Sequence, residues 1–351
     1  MRIPATIALA MSSALAALVG QHGAASAQKA PEPLNVYTTR EKELIEPLLR
    51  VFEGLTQVKL NIVYLGADAA ERLKADAAGG KVDLFIAAEF SQLVAAKAAG
   101  ITEPAGKADF AERVPEIYRD AEGHWFGLTK RLRVVGASRE RVKQAAFTYE
   151  ELADPKWKGK LCVRSGMHPY NVMLTASMIA HKGATFTESW LRGIKANLAA
   201  KPAGGDRDQV TGVAQGRCDI ALVNTYYIGG LRAAKDKPEQ QAAGNSINVV
   251  FPNAEDRGVH VSISGMALIK DAPSINNAAL LMDFMTSEPA QFVYSQDNFE
   301  YPIRADVNWS GLVESWGKPK LDEIPLNSIA KLQPQAVELI GKVGFDGGPG
   351  S

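Results

Sequence analysis

Short apolar segments alternate with amphipathic segments along the chain, and this alternation limits the possible folds more than any other feature. The first apolar segment runs from Leu34 to Tyr37, and the stretch ELIEPLLRVFEGLT after it carries apolar residues at helical spacing. VKLNIVYL and VDLFIAA predict two further strands, each followed by a helix. Strands that alternate with helices predict an α/β domain with a largely parallel sheet.

The stretch HWFGLTKRLRVVGAS interrupts this alternation and predicts a longer strand. Arg131 and Arg133 occupy alternate positions in it, so they share one face. We interpret this strand as a crossover into a second αβ unit, which includes the apolar strand CDIALVN and ends near residue 250. INVVFPNAEDRGVHVSISGMALIK is then predicted to be a return strand. This path predicts two αβ lobes, joined by paired hinge strands, with a ligand cleft between them.

The 351 residues are enough for two lobes, each with its own core. We expect lobe 1 to comprise residues 34–130 and 260–303. Lobe 2 is expected to comprise residues 131–255 and 304–345.

The N-terminal residues 1–27 have the pattern of a secretory signal peptide. Arg2 precedes a short apolar stretch, and Ala25-Ser26-Ala27 forms a cleavage signal of small residues. An N-terminal anchor helix is the alternative, but the apolar run is too short and too interrupted to span a membrane. We therefore expect the mature protein outside the cytoplasm, without membrane insertion.

Charge and cysteine content exclude some classes of function. The 39 basic and 39 acidic side chains balance, which argues against a nucleic-acid partner. Cys162 and Cys218 each lie at the edge of an apolar run, and in an oxidising compartment a single disulfide is plausible. Two buried free thiols are the alternative.

Tyrosines follow two apolar strands at the point where each gives way to a helix. Tyr226 and Tyr227 come directly after CDIALVN and a threonine, and Tyr170 lies in RSGMHPYN, after KLCV. Ligands bind at the carboxyl ends of strands in open α/β sheets. Adjacent tyrosines in the first turn of a helix can converge on one ion, whereas in a strand they would point apart. Packing of aromatic side chains at helix starts is the alternative.

Clustered phenols favour a hard, highly charged cation. A phenol has a pKa near 10, and a trivalent cation can displace its proton and bind the anionic oxygen. Three phenolates would neutralise Fe³⁺, so a site for this cation is one interpretation of Tyr170, Tyr226 and Tyr227. Zinc would require His, Cys and carboxylate ligands, and no HExxH or CxxC motif occurs. His168 is a possible further ligand, although Pro169 restricts its direction relative to Tyr170.

Three arginines are candidates for binding a small anion that would fill the remaining iron coordination positions. Arg40 ends the first strand phrase, and Arg131 and Arg133 lie in the crossover. Guanidinium groups suit carboxylate, carbonate or phosphate. Solvent-facing charges or hinge ion pairs are the alternative, and of the two crossover arginines we favour Arg131.

The phrases NVYTTR, KRLRVV, RSGMHPYN, CDIALVNTYY and NFEYPIR together resemble the periplasmic ferric-iron-binding proteins of ABC importers, a transferrin-like class II group of solute-binding proteins. The resemblance extends from about Leu34 to Ile340. It implies a periplasmic location and a periplasmic-binding-protein-like α/β fold. It also implies an iron ligated by Tyr170, Tyr226 and Tyr227, and a synergistic anion such as carbonate held by Arg40 and one crossover arginine. It also matches the pair Cys162 and Cys218 to a cysteine pair of some members.

The same resemblance implies an inner-membrane ABC permease as partner, a monomeric protein and no catalytic turnover. One departure concerns the residues after Arg40. Many relatives carry His-Tyr there, whereas this chain has Glu41 and Lys42. Whether Glu41 supplies an oxygen ligand is left open, as is binding of Fe²⁺.

Two other functions compete with iron binding. A binder of a small organic anion or phosphonate would use Arg40 and Arg131 as main contacts and the tyrosines as aromatic walls. A periplasmic enzyme is disfavoured, since G-x-S-x-G is absent. S-x-x-K occurs at Ser315 and Ser328, but without the companion motifs that would give it catalytic meaning.

Overall fold

A computed structural model describes residues 33–66, 68–106 and 109–350. The predicted signal peptide, residues 1–27, lies outside the described residues. Within the part of the chain that is described, no helix combines the length and the apolar character needed to cross a bilayer.

The described residues form a mixed sheet of nine strands. The strands are β1 Leu34–Thr38, β2 Leu60–Tyr64, β3 Leu84–Ala87, β4 Phe126–Ser138, β5 Leu161–Cys162, β6 Ile220–Asn224, β7 Ile247–Val250, β8 Val261–Leu268 and β9 Tyr301–Pro302. Their order is β2-β1-β3-β8-β4-β6-β5, and β7 and β9 also pair with β4. β1 pairs in parallel with β2 and β3, and β5 with β6, whereas β8 runs antiparallel to both of its neighbours.

Helices connect most of these strands, as the alternating sequence pattern predicts. They are α1 Lys42–Thr56, α2 Ala69–Ala78, α3 Phe90–Ala98, α4 Asp109–Glu112, α5 Pro169–Lys182, α6 Ala184–Asn197, α7 Asp206–Ala214, α8 Thr225–Ala233, α9 Pro238–Asn245, α10 Ile275–Thr286, α11 Glu288–Asn298, α12 Gly311–Glu314, α13 Leu326–Ala330 and α14 Gln333–Val343. Short 3₁₀ segments lie at Glu116–Tyr118, Glu150–Ala153, Pro155–Trp157 and Phe345–Gly347.

Helix α1 illustrates how the sequence pattern becomes packing. Ile45, Leu48, Leu49 and Phe52 recur at helical spacing and are all buried. Burying each such side chain contributes roughly 1.5–3 kcal/mol relative to exposure. The apolar face therefore fixes α1 against the sheet and leaves its N-terminus beside the carboxyl end of β1.

Strand β4 belongs to two parts of the sheet. Its residues Phe126–Leu132 pair with β8, and Arg133–Ala137 pair with β6. We call β1, β2, β3, β8, β9 and the first half of β4 the first lobe, with α1, α2, α3, α10 and α11. The second lobe comprises β5, β6, β7, the second half of β4, and α5 to α9 with α14, which packs on α5 and α6. The crossover role of this strand is thus confirmed, while the exact lobe limits stay a prediction.

The expected single return strand is instead two strands, β7 and β8, with a turn between them. Pro252 has no amide proton for a ladder, and Asn253 has a left-handed backbone with φ of 57°. Gly258 follows with φ of 94°, where an added Cβ would lie 2.6 Å from the carbonyl carbon of Leu321. The prediction of one strand was wrong because the apolar residues of β7 and β8 on both sides of the turn have the pattern of a single strand.

The cysteines form one disulfide, as expected. Cys162 ends β5, and Cys218 lies just before β6, its parallel neighbour. The two Cα atoms are 5.9 Å apart. The bond joins the two strands whose carboxyl ends lead to the tyrosine-bearing helices.

Candidate metal site

Two strand-to-helix turns of the second lobe carry the predicted tyrosine ligands. α8 begins at Thr225, directly after β6, so Tyr226 and Tyr227 lie in its first turn. α5 begins at Pro169, whose fixed φ suits the first helical position, and Tyr170 comes next. The three tyrosines form one buried cluster, which we call the tyrosine cluster.

The side chains of the tyrosine cluster are in direct contact. The hydroxyl oxygens of Tyr170 and Tyr226 lie 3.1 Å apart and share a hydrogen bond. The rings of Tyr226 and Tyr227 have centroids 4.1 Å apart with an interplanar angle of 32°. Each residue is at most 7% exposed. Two separate turns therefore deliver phenol groups to one water-poor position.

Burial makes the phenols of Tyr226 and Tyr227 poor acids while no cation is bound. It raises the pKa of Tyr226 well above 10, and the negative charge that Tyr170 would carry raises it further. Burial likewise raises the pKa of Tyr227, with smaller contributions from Tyr170, Asp206 and Glu41. A cation that converts these phenols to phenolates must supply enough attraction to displace their protons.

Arg131 is the predicted anion-binding arginine that reaches the tyrosine cluster. Its Nη1 donates to the Tyr170 hydroxyl over 3.2 Å, and its guanidinium lies 5.2 Å from the centroid of that ring. On its other side, Nη2 donates to the carbonyl of Ala88 and to Ser262 Oγ. The buried carboxylate of Glu89 lies 3.7 Å from the same nitrogen. Arg131 thus connects a phenol of the second lobe to the first lobe.

Glu89 is the charge partner of Arg131 and was not recognised in the sequence. Burial raises the pKa of its carboxyl group to about 7, although Arg131 and a hydrogen bond from Ser262 lower it. The carboxylate also accepts a hydrogen bond from the Phe90 amide at the start of α3. A glutamate in the phrase AAEF carries no sequence signal for this contact.

Arg40 is bound by a carboxylate in this structure. Its Nη1 and Nη2 donate to the two carboxylate oxygens of Glu300 over 2.8 and 3.1 Å. Thr129 donates to Glu300 over 2.6 Å, and all three side chains are buried. The anion-binding role of Arg40 stays a prediction, with Glu300 as the group that an external anion would have to join or replace.

Both Nη atoms of Arg133 are hydrogen-bonded within the second lobe. Its Nη1 donates to Asp206 over 2.6 Å and to Asn224 Oδ1 over 3.2 Å, and Nη2 donates to Asn171 over 2.8 Å. Asn224 precedes α8, and Asn171 follows Tyr170. Arg133 therefore ties together the two turns that carry the tyrosines, and its predicted contact with an anion stays untested.

Glu41 of the first lobe contacts the tyrosine cluster at its solvent-exposed edge. The hydroxyl of Tyr227 donates to Glu41 Oε1 over 2.9 Å. Arg207, at the start of α7, donates to the other oxygen over 3.1 Å and lies 4.7 Å from the Tyr227 ring centroid. The side chains of Glu41 and Arg207 are about two-fifths exposed. The departure from His-Tyr at this position thus places a carboxylate against a predicted ligand.

Comparison with known proteins identifies the family. Residues 80–315 match the model of the bacterial extracellular solute-binding proteins. The chain belongs to this family.

Individual relatives and solved structures show which solute-binding proteins this chain is similar to. The solute-binding protein is 36% identical to iron uptake protein A1 of Synechocystis over 90% of its own length and 88% of that protein. The Bordetella ferric binding protein superposes with a TM-score of 0.80 at 44% identity, and apo ferric ion-binding protein A of Pasteurella haemolytica with 0.85 at 39%. Each comparison covers 90% of this chain and 99% of the solved one. The resemblance read from the sequence and the two-lobed α/β fold are confirmed.

His168 orients one of the tyrosines in this solute-binding protein. Its Nδ1 accepts a hydrogen bond from the Tyr170 amide over 3.3 Å and so caps α5. Its ring packs edge-on against the Tyr170 ring, with the two ring centroids 4.4 Å apart. Burial lowers the pKa of His168 to about 3, so the imidazole is neutral. Among the described residues, no three His, Cys, Asp or Glu side chains are grouped so as to hold a metal.

Proposed function

We propose that this solute-binding protein captures ferric iron in the periplasm and delivers it to an inner-membrane ABC permease. Tyr170, Tyr226 and Tyr227 are the proposed ligands. The observation that carries the proposal is the convergence of these three buried tyrosines from two separate strand-to-helix turns. The ferric-binding proteins that this chain resembles support the same cargo.

Charge supports a trivalent cargo. Three phenolates carry three negative charges, and Fe³⁺ compensates more of this charge than a divalent ion does. Unpaired charge is costly where water is excluded. Oxygen donors also suit a hard cation better than a soft one.

A small anion, carbonate or another, is proposed to complete the iron coordination. Arg131 is its proposed holder, because it already donates to the Tyr170 hydroxyl. Arg40 and Arg133 are hydrogen-bonded to the carboxylates of Glu300 and Asp206, whereas the carboxylate of Glu89 lies 3.7 Å from Arg131. We therefore propose that Arg40 and Arg133 support the site through charge and position. Neither binding nor delivery requires turnover, and the proposed protein is a monomeric binder, not an enzyme.

The test is a ferric titration of the purified protein followed by visible absorption and metal analysis. Phenolate-to-iron charge transfer should give a coloured one-to-one complex in the wild type. The triple variant Tyr170→Phe/Tyr226→Phe/Tyr227→Phe should stay folded, colourless and iron-free. Tyr301→Phe is a matched control, since this tyrosine is equally buried but lies outside the tyrosine cluster.

A colourless wild-type protein would overturn the proposal and favour the binder of an organic anion. A triple variant that keeps both iron and colour would overturn the ligand assignment alone.

A further inference from the structure

Two apolar side chains of the first lobe cover the tyrosine cluster. They are Leu44 of α1 and Phe299, directly after α11, and both pack against this cluster. The Asn298 side chain donates to the Leu44 carbonyl over 2.8 Å and holds the ends of α1 and α11 together. The second lobe thus supplies the phenols, and the first lobe supplies a hydrocarbon surface above them.

Phe299 has a backbone conformation that is unusual for a large side chain. Its φ of 57° and ψ of 26° are left-handed, a region that bulky residues rarely occupy. Two contacts hold it there. The Phe299 amide donates to the Tyr294 carbonyl, and the next residue, Glu300, is fixed by Arg40 and Thr129. Strain of this kind persists only where the surroundings enforce it, and it is common at functional sites.

The ring of Phe299 lies on the helix that carries two of the tyrosines. A Cβ added at Gly229 of α8 would lie 2.4 Å from Phe299 Cβ and 2.5 Å from Cγ. Any residue other than glycine at position 229 would therefore force Phe299 or the backbone of α8 to move. Gly229 stands three residues after Tyr226, so the two share a helix face. Gly230, by contrast, faces open space.

We propose that Phe299, packed against Gly229, is the closing contact that seals the tyrosine cluster and sets the rate of cargo exchange. This proposal rests on the proposed iron-binding function. When the two lobes close, the hydrocarbon side chain of Phe299 covers the phenols and keeps out water and competing chelators. Exclusion of water also strengthens attraction between phenolates and a cation. Phe299 is a positioning residue, since it acts through the predicted ligands that it packs against.

The first experiment measures the release of ferric iron to excess EDTA by decay of the visible band. Gly229→Ala blocks the close approach of Phe299 and should speed release by about tenfold or more, because changes at a binding interface act mainly on dissociation. Gly230→Ala is the matched control. It makes the same chemical change one residue away, in open space, and should release iron at about the wild-type rate.

The second experiment uses Phe299→Gly, alone and with Gly229→Ala. Glycine tolerates the left-handed backbone, so the substitution removes the cover without adding strain. Phe299→Gly should speed release about as much as Gly229→Ala. The double variant should release iron no faster than Phe299→Gly, because the Phe299 atoms that the new Cβ at position 229 would meet are already absent. Such non-additive effects on the release rate indicate direct contact between the two positions. The position of the visible band should not change, because the ligands are intact.

The outcomes separate the two proposals. A wild-type protein that binds no ferric iron overturns both. A wild-type protein that binds iron but releases it as fast as Phe299→Gly and Gly229→Ala overturns the sealing role alone. Equal acceleration by Gly230→Ala, or additive effects in the double variant, would also overturn it. If Gly229→Ala fails to fold, Phe299→Gly still decides the question.

Discussion

Loading the tyrosine cluster with ferric iron should release one proton from each phenol. A phenol has an ordinary pKa near 10, and burial raises the pKa of Tyr226 and Tyr227 well above that value. The hydrogen bond between the hydroxyls of Tyr170 and Tyr226 also requires a proton on at least one of them. At neutral pH the hydroxyls of Tyr226 and Tyr227 are therefore protonated in the unloaded site, and metal ligation must displace these protons.

The size of the effect follows from the number of protons. Each proton released changes the binding constant tenfold per pH unit, or about 1.4 kcal/mol. Three protons give about a thousandfold per unit, or about 4 kcal/mol. The sign is fixed because only the deprotonated oxygens bind: affinity for Fe³⁺ rises as pH rises and falls as pH falls.

Titration calorimetry in two buffers of equal pH and different ionisation heat counts these protons directly. Iron is supplied as its nitrilotriacetate complex, and the proton uptake of the freed chelator is measured separately. Each of Tyr170→Phe, Tyr226→Phe and Tyr227→Phe should release one proton fewer than the wild type, whereas Tyr301→Phe should release the same number. A single-site variant that releases as many protons as the wild type would refute that tyrosine as a phenolate ligand.

Three further predictions concern stability. The disulfide closes a loop of 56 positions, so replacing Cys162 and Cys218 by serine should lower the free energy of unfolding by about 4 kcal/mol in the chain-entropy model. Urea unfolding measures this loss, and a value below about 1 kcal/mol would contradict the prediction. His260 is buried, and burial lowers its pKa to about 4, so the unfolded chain takes up a proton that the folded chain excludes. Stability should therefore fall by up to about 3 kcal/mol as pH falls from about 6.5 to 4, and His260→Gln should flatten this dependence in thermal unfolding; an unchanged slope would count against it. Glu300→Ala leaves the buried Arg40 charge unpaired and should cost about 3–5 kcal/mol, partly recovered by adding Arg40→Met; no recovery in the double variant would contradict the pairing.

The tyrosine cluster could be predicted from the sequence because local rules decide it. Apolar strands followed by helix starts place Tyr170 and Tyr226 at strand carboxyl ends, and neighbouring strands of one sheet bring those ends together. A disulfide between Cys162 and Cys218 was plausible from the sequence, because each lies at the edge of an apolar run, but only the pairing of β5 with β6 decides that it forms.

The partners of the arginines could not be predicted, because they depend on tertiary contacts between distant segments. Glu300 lies 260 positions after Arg40, and Asp206 lies 73 positions after Arg133. An acidic residue far along the chain gives no local sign of such a contact. The left-handed backbone of Phe299 was equally hidden, because surrounding contacts impose it against the residue's own preference.

A crystal structure of the iron-loaded protein, with iron located by its anomalous scattering, would show the ligands directly. We expect one strong peak in the cleft, within coordinating distance of the phenol oxygens of Tyr170, Tyr226 and Tyr227. An iron peak held by other residues, with the hydroxyls of Tyr170 and Tyr226 still bonded to each other, would contradict this expectation.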